Sequence, residues 1–518
     1  MQNLSNRHEK WKCLFSPTFI MGIITHFYLF SNNLMNPDAI WLSEVYYSGW
    51  EVTSGRWGLV LIDRLQLGST SPVLMSLVSI ALFSLSAIII CELFAVQETQ
   101  LCCIVAGGMI VCSPFVANTL SYYYCSDAYA ISFFLAVFAV YCSYKVHSLW
   151  GRFASALLIA ISISIYQSNL GVVGAVYLLK MVDECCNNYQ PKKVFFAILQ
   201  MLVECVLGLI IYLVVLKAWL KICNLQMSTY KGANTIGIMS TLQNLRGTLI
   251  NAYKDFVTFF FGSNVETASN TIIMKVCYAT VMVLFIATSC LRTYNNKTNF
   301  FELIGLLVLL PIACNVIDLA ATDTKMVLRT SSGMVAAFPM LFLIAYKNMN
   351  GGGWNIKYRN SLKTIVIFIC GVLIWNQMLL CNIDSMLMEM NRTAILSSAE
   401  KMLGDLQENR DVQKGIPVAI VGTPRGWTMN SDLEKYANGY ARHVMVWETA
   451  DGMYNGWLRL DQRYIGAKFM NWVDYTTYQT LLQTDEVKQM PSYPFDGYIQ
   501  NVDGVIVCKA GGSIEWAS

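Results

Sequence analysis

Between Asn36 and Arg64 the chain carries Asp38, Glu44, Glu51 and Asp63 together with Arg56 and Arg64, in a sequence of which only 13% is charged. A carboxylate at the wet face of a membrane can accept a proton from a hydroxyl, because there it ionises and still reaches a solvated substrate. Asp38 follows Pro37 just beyond an apolar run, so a short tether fixes it. Glu44 and Glu51 are seven apart and share a face wherever the residues between them are helical. These three are the candidate catalytic acids, and for each the alternative is a solvated loop carboxylate. Arg56, inside Ser54-Gly55-Arg56-Trp57-Gly58, and Arg64 offer guanidinium forks that match phosphate oxygens better than an ammonium does. Anchoring at the lipid headgroups competes with that reading, more strongly for Arg64. Lys325 and Arg329 are i and i+4 and offer the second half of a phosphate clamp. Trp57, Tyr122, Asp127, Tyr166 and Gln167 supply rings and hydrogen-bonding groups that suit a sugar. A tyrosine belt at the membrane boundary accounts for Tyr122-Tyr123-Tyr124 without any ligand.

The elements that must position these side chains are membrane helices. Of the 518 residues, 55% are hydrophobic, and the mean hydropathy of +0.46 excludes an ordinary soluble domain. Apolar segments at roughly 14–33, 72–96, 101–120, 128–146, 152–168, 170–184, 194–218, 272–291, 300–317, 331–346 and 362–382 predict about eleven transmembrane helices, each judged against about 20 residues. The fifth and sixth are short and joined by Tyr166-Gln167-Ser168-Asn169, which leaves room for a re-entrant segment. Arg7, Lys10 and Lys12, then Lys145, His147 and Arg152, Lys192 and Lys193, Arg292 and Lys297, and Lys347 to Lys363 fall on one side. The positive-inside rule therefore places the N-terminus in the cytoplasm and the Asn36–Arg64 loop outside. Within 219–271, Leu242, Leu245, Leu249, Ala252, Phe256 and Phe259 recur at helical spacing and predict a helix lying in the interface.

Residues 1–382 thus form a membrane domain. From 383 onward the composition changes: an amphipathic helix over Met388–Asn409, strands at Pro417–Gly422 and Gly504–Cys508, and a helix within Tyr464–Leu482 predict an extracytoplasmic α/β domain. The seventeen cysteines sit mostly in apolar runs without CxxC spacing, which fits packing and neither a disulfide framework nor a metal cage. His26 reads as an interior histidine. Glu92 and Glu204 fall in or near apolar spans and must be paired or face a cavity. No basic tail or basic and aromatic stripe points to nucleic acid.

The run His26-Phe27-Tyr28-Leu29-Phe30-Ser31-Asn32, Asp38, Gly49-Trp50, the Ser54–Gly58 block, Ile165-Tyr166-Gln167-Ser168 and Asp503-Gly504-Val505-Ile506-Val507 resemble the bacterial membrane glucosyltransferases of the Gtr type II kind. The resemblance implies a GT-C-like fold and an inverting hexosyl transfer from a polyprenyl-phosphate-linked sugar donor, undecaprenyl phosphate being the usual carrier. It also implies a surface polysaccharide such as O-antigen as acceptor, at the outer face of the bacterial cytoplasmic membrane. By that pattern Asp38 matches the catalytic acid of the first outer loop; Ala39 follows it where some relatives pair two acids, so a share for Glu44 or Glu51 stays open. No cofactor is implied and a metal requirement does not carry over. A donor synthase and a flippase are partners that such a reaction leaves open. A transporter or flippase of lipid-linked glycans is the alternative; it should show internal repeats and charges near the midplane.

Overall fold

The computed structural model describes residues 2–41, 49–66, 70–94, 100–146, 148–187, 191–228, 245–263, 270–316, 326–351, 356–423, 432–442, 449–466 and 470–511. The chain divides into two compact units, Met1–Phe30 with Val45–Asn382, and Ser31–Glu44 with Ile383–Ser518. All eleven apolar segments are helical, but among the described residues seven helices are long and apolar enough to cross a membrane. The total is eight when Gln100–Val111 and Pro114–Ser121, bent by 44° at Ser113-Pro114, count as one span. The other three, Leu149–Ile165, Leu170–Cys186 and Ser332–Asn348, have 17 residues each. Such a helix is about 25 Å long, short of a hydrocarbon core of about 30 Å. The protein is a polytopic helical membrane protein with seven full-length spans, or eight with the bent pair, by length and composition among the described residues.

Local sequence starts these helices where it should. Ser71 caps the helix Pro72–Leu93 and Thr271 caps Ile272–Thr293, each side-chain oxygen accepting from the backbone of the third residue on, which satisfies an otherwise orphaned amide. Small residues bring the central helices together: Ser132 and Ser162 exchange hydrogen bonds with one another's carbonyls at 2.8 Å, locking Ser126–Lys145 to Leu149–Ile165. Ser126–Lys145 has 72% of its span window buried against 17% for Val194–Ile222, so the former is the bundle centre and the latter a lipid-facing flank. Glu204 accepts from Ser143 Oγ at 2.9 Å, from Gln200 Nε2 at 2.8 Å and from the Tyr177 hydroxyl. Glu92 accepts from Tyr141 Oη at 3.1 Å. Glu204 thus has the partners its burial demands, and Glu92 has one through Oε1. His26 packs at 1% exposure with Nε2 2.8 Å from the Val111 carbonyl. Leu245–Phe261 is a helix as expected, with Thr248, Ala252, Phe259 and Phe260 as its buried face.

In the second unit, three strands β1 (Val418–Val421), β2 (Ile499–Val502) and β3 (Val505–Lys509) form a sheet of order β1-β3-β2, β1 and β3 parallel, β2 and β3 antiparallel. Asp503 and Gly504, both with positive φ, make the two-residue hairpin turn. The helix expected at 388–409 is the last part of a continuous helix, Ile356–Glu408, because no Pro interrupts Cys381 to Glu408 and the single glycine there, Gly404, is tolerated in the last turns. Asp38 belongs to this unit, half-buried on the short helix Pro37–Trp41, which packs against Ala450–Leu460. Asn36 Oδ1 accepts from Ala39 N at 3.2 Å, and Arg392, paired to Glu389 at 2.7 Å, donates to the Asn32 carbonyl at 2.6 Å. Asp38 is therefore tethered on both sides of its turn.

Lys509 is 7% exposed and donates to the carbonyls of Val487, Lys488 and Met490 at 3.0, 2.8 and 2.8 Å, closing the end of the helix Asp485–Gln489. Burial lowers its pKa from the usual lysine value. Lys509→Met is expected to destabilise this unit by about 2–3 kcal/mol, since three buried carbonyls lose a charged donor; protease resistance of the C-terminal unit in the full chain measures it.

Candidate functional site

The Ser54–Gly58 block is a tight corner between two short helices, Trp50–Thr53 and Trp57–Leu65. Arg56 N donates to the Glu51 carbonyl at 2.6 Å and Ser54 Oγ to the same carbonyl at 3.0 Å. Gly55 takes φ +81°, and a Cβ there would stand 2.5 Å from Tyr212 Oη and 3.0 Å from Gln167 Nε2. Those two groups hold the corner instead, Tyr212 Oη donating to the Gly55 carbonyl at 2.9 Å and Gln167 Nε2 to that of Ser54 at 3.0 Å. At Gly58 a Cβ would meet Ser164 Oγ at 2.2 Å and its carbonyl carbon at 3.1 Å, so Trp57–Leu65 lies flush on Leu149–Ile165. Gly58→Ala is therefore expected to lower the melting temperature of the detergent-solubilised protein by several degrees, as overpacking costs typically 1–3 kcal/mol.

Trp57 is 7% exposed and packs with Val52, Val60, Ile163, Tyr212 and Leu216, its ring 6.4 Å from that of Trp219. The indole supports the corner from beneath, a departure from the sugar-facing place expected for it: at the first position of an amphipathic helix, the apolar side turns inward.

Arg56 leaves the corner in the direction of a tyrosine cluster. Its Cζ lies 5.3 Å from the Trp50 ring and 5.4 Å from that of Tyr166, and Nη1 donates to Tyr129 Oη at 3.3 Å. Tyr129 and Tyr166 are stacked, centroids 4.3 Å apart. Arg329 arrives from far along the chain on the turn Leu328–Thr330, its Cζ 4.5 Å over the Tyr122 ring and its guanidinium bonded to the Tyr166 side chain. Ser168 Oγ donates to the Thr330 carbonyl at 2.6 Å. One short segment, Tyr166–Asn169, therefore positions both arginines: Gln167 grips the Arg56 corner and Ser168 grips the Arg329 turn.

The two guanidiniums are near enough for their charges to oppose each other, and Arg56 Nε is buried with no partner among the described residues. Cation–π contact offsets part of the cost, on the order of 0.5–2 kcal/mol per pair, but like charges over neutral rings leave a site that an anion completes.

A carboxylate flank lies nearby. Asp127, 6% exposed, accepts from Gln66 Nε2 through both oxygens at 2.9 and 2.8 Å, and Glu51 is 7% exposed at the corner. Burial first, then the charges of Glu51 and Asp127, push the Asp63 carboxyl from the ordinary 3.8 up to about 7. Cys125 lies in the field of Asp63, Asp127 and Arg56 together, so these two acids and Arg56 flank one spot. The folded chain holds the Asp63 proton more tightly than the unfolded chain does; this contribution to stability is full below about pH 4 and is lost as pH rises through about 7. The melting temperature is expected to fall between pH 5 and 7.5 by more in the native chain than in Asp63→Asn; equal slopes remove the assignment.

Of the sequence candidates, Arg56, Arg329, Tyr122, Tyr166, Gln167, Asp127 and Glu51 are thus gathered around this corner. Arg64 is exposed, and Asp38 is held in the second unit. Glu44 and Lys325 lie outside the described residues. Asp63, Gln66 and Tyr129 are additions. For Asp63 the signal was available, since Arg56 and Asp63 are seven apart, the spacing that singled out Glu44 and Glu51. Tyr129 gave none, being one apolar-helix tyrosine among many. Among the described residues no three His, Cys, Asp or Glu are grouped to hold a metal ion.

No curated protein and no solved structure matches the sequence. A family model described as Glucosyl transferase GtrII matches residues 27–346, more than half of the chain, including the Ser54–Gly58 corner, the tyrosine cluster and the Arg329 turn. The chain therefore belongs to the GtrII glucosyltransferase family and is a membrane glycosyltransferase that serves a sugar donor and an acceptor.

Proposed function

We propose that the protein transfers a glucosyl residue from a polyprenyl-phosphate donor to a cell-surface polysaccharide, with inversion, at the outer face of the bacterial cytoplasmic membrane. The observation that carries this reading is the convergence of Arg56 and Arg329 on Tyr122, Tyr129 and Tyr166, a phosphate-sized demand for negative charge beside rings on which a sugar can stack.

An acceptor hydroxyl oxygen attacks the anomeric carbon; the bond from that carbon to the phosphate oxygen breaks, and its electron pair stays with the polyprenyl phosphate. The hydroxyl proton passes to a carboxylate base, for which the resemblance to the family names Asp38. Arg56 and Arg329 stabilise the charge that grows on the phosphate, and Lys325, outside the described residues, stays a candidate for the same role. Asp127 and Gln167, already hydrogen-bonded in place, orient sugar hydroxyls, while Glu51 and Asp63 set the field. The N-terminus is cytoplasmic, Met1–Phe30 with Val45–Asn382 forms the membrane unit that carries the arginine site, and Ser31–Glu44 with Ile383–Ser518 forms an extracytoplasmic unit that presents the glycan.

The test is transfer by the purified full chain in lipid nanodiscs, from a labelled glucosyl polyprenyl phosphate to isolated surface polysaccharide. Label is expected in the polymer with the anomeric configuration inverted in its NMR spectrum. Absence of transfer from this donor, with transfer from a nucleotide sugar, would overturn the donor reading; retained configuration would overturn single displacement.

A further inference from the structure

Arg56 and Gln66 are the two ends of one short helix, Trp57–Leu65, its N-cap and its C-cap, so their backbones stand about 15 Å apart along its axis. Their side chains nevertheless end on neighbours. Arg56 Nη1 donates to Tyr129 Oη at 3.3 Å, and Gln66 Nε2 donates to both oxygens of Asp127 at 2.9 and 2.8 Å. Asp127 and Tyr129 are two residues apart at the start of Ser126–Lys145, about 3 Å of rise.

Each end of the helix also carries one buried polar atom with no partner among the described residues: Nε of Arg56, a donor, and Oε1 of Gln66, an acceptor. The Gln66 amide has one orientation only. An ionised carboxylate accepts and does not donate, so turning the amide over would set its oxygen against Asp127. The two bonds from Nε2 therefore keep Oε1 on the side away from Asp127. The root of the side chain is fixed as well, since Gln66 N donates to the carbonyls of Ile62 and Asp63 at 3.2 Å.

We propose that Gln66 is a specificity-determining residue of the glucosyl site, its Oε1 accepting a hydrogen bond from the C3 or C4 hydroxyl of the sugar whose phosphate lies at Arg56. The inference rests on the reading of the arginines as the phosphate site and adds which edge of the sugar is read, and by what. A hexosyl phosphate carries what the two atoms need: phosphate oxygens that accept from Arg56 Nε and, across the ring from the anomeric carbon, hydroxyls that donate to Gln66. Asp127 acts on the sugar through Gln66, holding the amide in the orientation that presents an acceptor. A buried acceptor placed to meet a hydroxyl discriminates against a sugar that lacks it, because the oxygen then stays desolvated and unpaired.

The full chain in nanodiscs is assayed with glucosyl polyprenyl phosphate and with its 3-deoxy, 4-deoxy and 6-deoxy counterparts. The native protein is expected to lose about tenfold in kcat/KM on the 3-deoxy or the 4-deoxy donor, the scale of one neutral hydrogen bond, and to stay within about twofold on the 6-deoxy donor. Gln66→Met, which keeps the length and removes the acceptor, is expected to lose about tenfold on the parent donor and to treat the parent and that deoxy donor alike within about twofold. A role in packing alone would lower all four donors equally, and that result overturns the proposal. So does a native protein indifferent to both the 3-deoxy and the 4-deoxy donor, or a Gln66→Met protein that discriminates as the native one does. Gln66→Asn, an amide one methylene shorter, is read in the same way where Gln66→Met does not fold. A native protein that takes glucose only from a nucleotide sugar sinks the polyprenyl donor reading alone, since the same deoxy series on that nucleotide still decides Gln66.

Discussion

Arg56→Ala is expected to lower glucosyl transfer by about 10²–10³-fold, the range found when one preorganised donor to a developing anion is removed. The loss should fall on kcat more than on donor KM, because charge on the phosphate oxygens grows as the bond to the sugar breaks, and Arg329 still binds the ground state. Arg56→Lys should recover little. The guanidinium carbon lies 5.3 and 5.4 Å from the Trp50 and Tyr166 rings with Nη1 on Tyr129, and an ammonium can neither stack on a ring nor present a fork to phosphate. Steady-state kinetics on the purified variants separate kcat from KM. An Arg56→Ala enzyme within threefold of the native rate would show that the phosphate is held elsewhere.

Asp38→Asn is expected to cost about 10²–10⁴-fold in kcat, the usual contribution of a positioned base, with the protein still folded and still binding donor. The substitution keeps shape, and the anchors of this turn, Asn36 Oδ1 to Ala39 N and Arg392 to the Asn32 carbonyl, do not involve the Asp38 carboxylate. The informative control is Asp63→Asn. If Asp38 is the base, Asp63→Asn should shift the pH profile between pH 6 and 8, where the Asp63 charge appears, and keep most of the activity at pH 6. The opposite pattern, an active Asp38→Asn and a dead Asp63→Asn, would move the base to Asp63, seven residues after Arg56.

By itself the sequence determined that this is a helical membrane protein and which apolar segments are helices, and it singled out the Ser54–Gly58 block as a candidate centre. Hydropathy and period act locally, and a corner with two glycines, an arginine and a tryptophan is distinctive in a chain so poor in charge. The resemblance added the family, which the match over residues 27–346 bears out. Tertiary structure decided the rest. Arg329 reaches Tyr122 and Tyr166 only because Ser168 ties its turn to the segment that grips Arg56, a relation between positions far apart in the chain that no local pattern encodes. Trp57 went to packing and Asp63 to the site because helix rotation fixes which side of a nine-residue segment faces the bundle. Hydropathy alone does not separate the 17-residue helices from the longer spans, because burial against protein and burial against lipid demand the same apolar side chains.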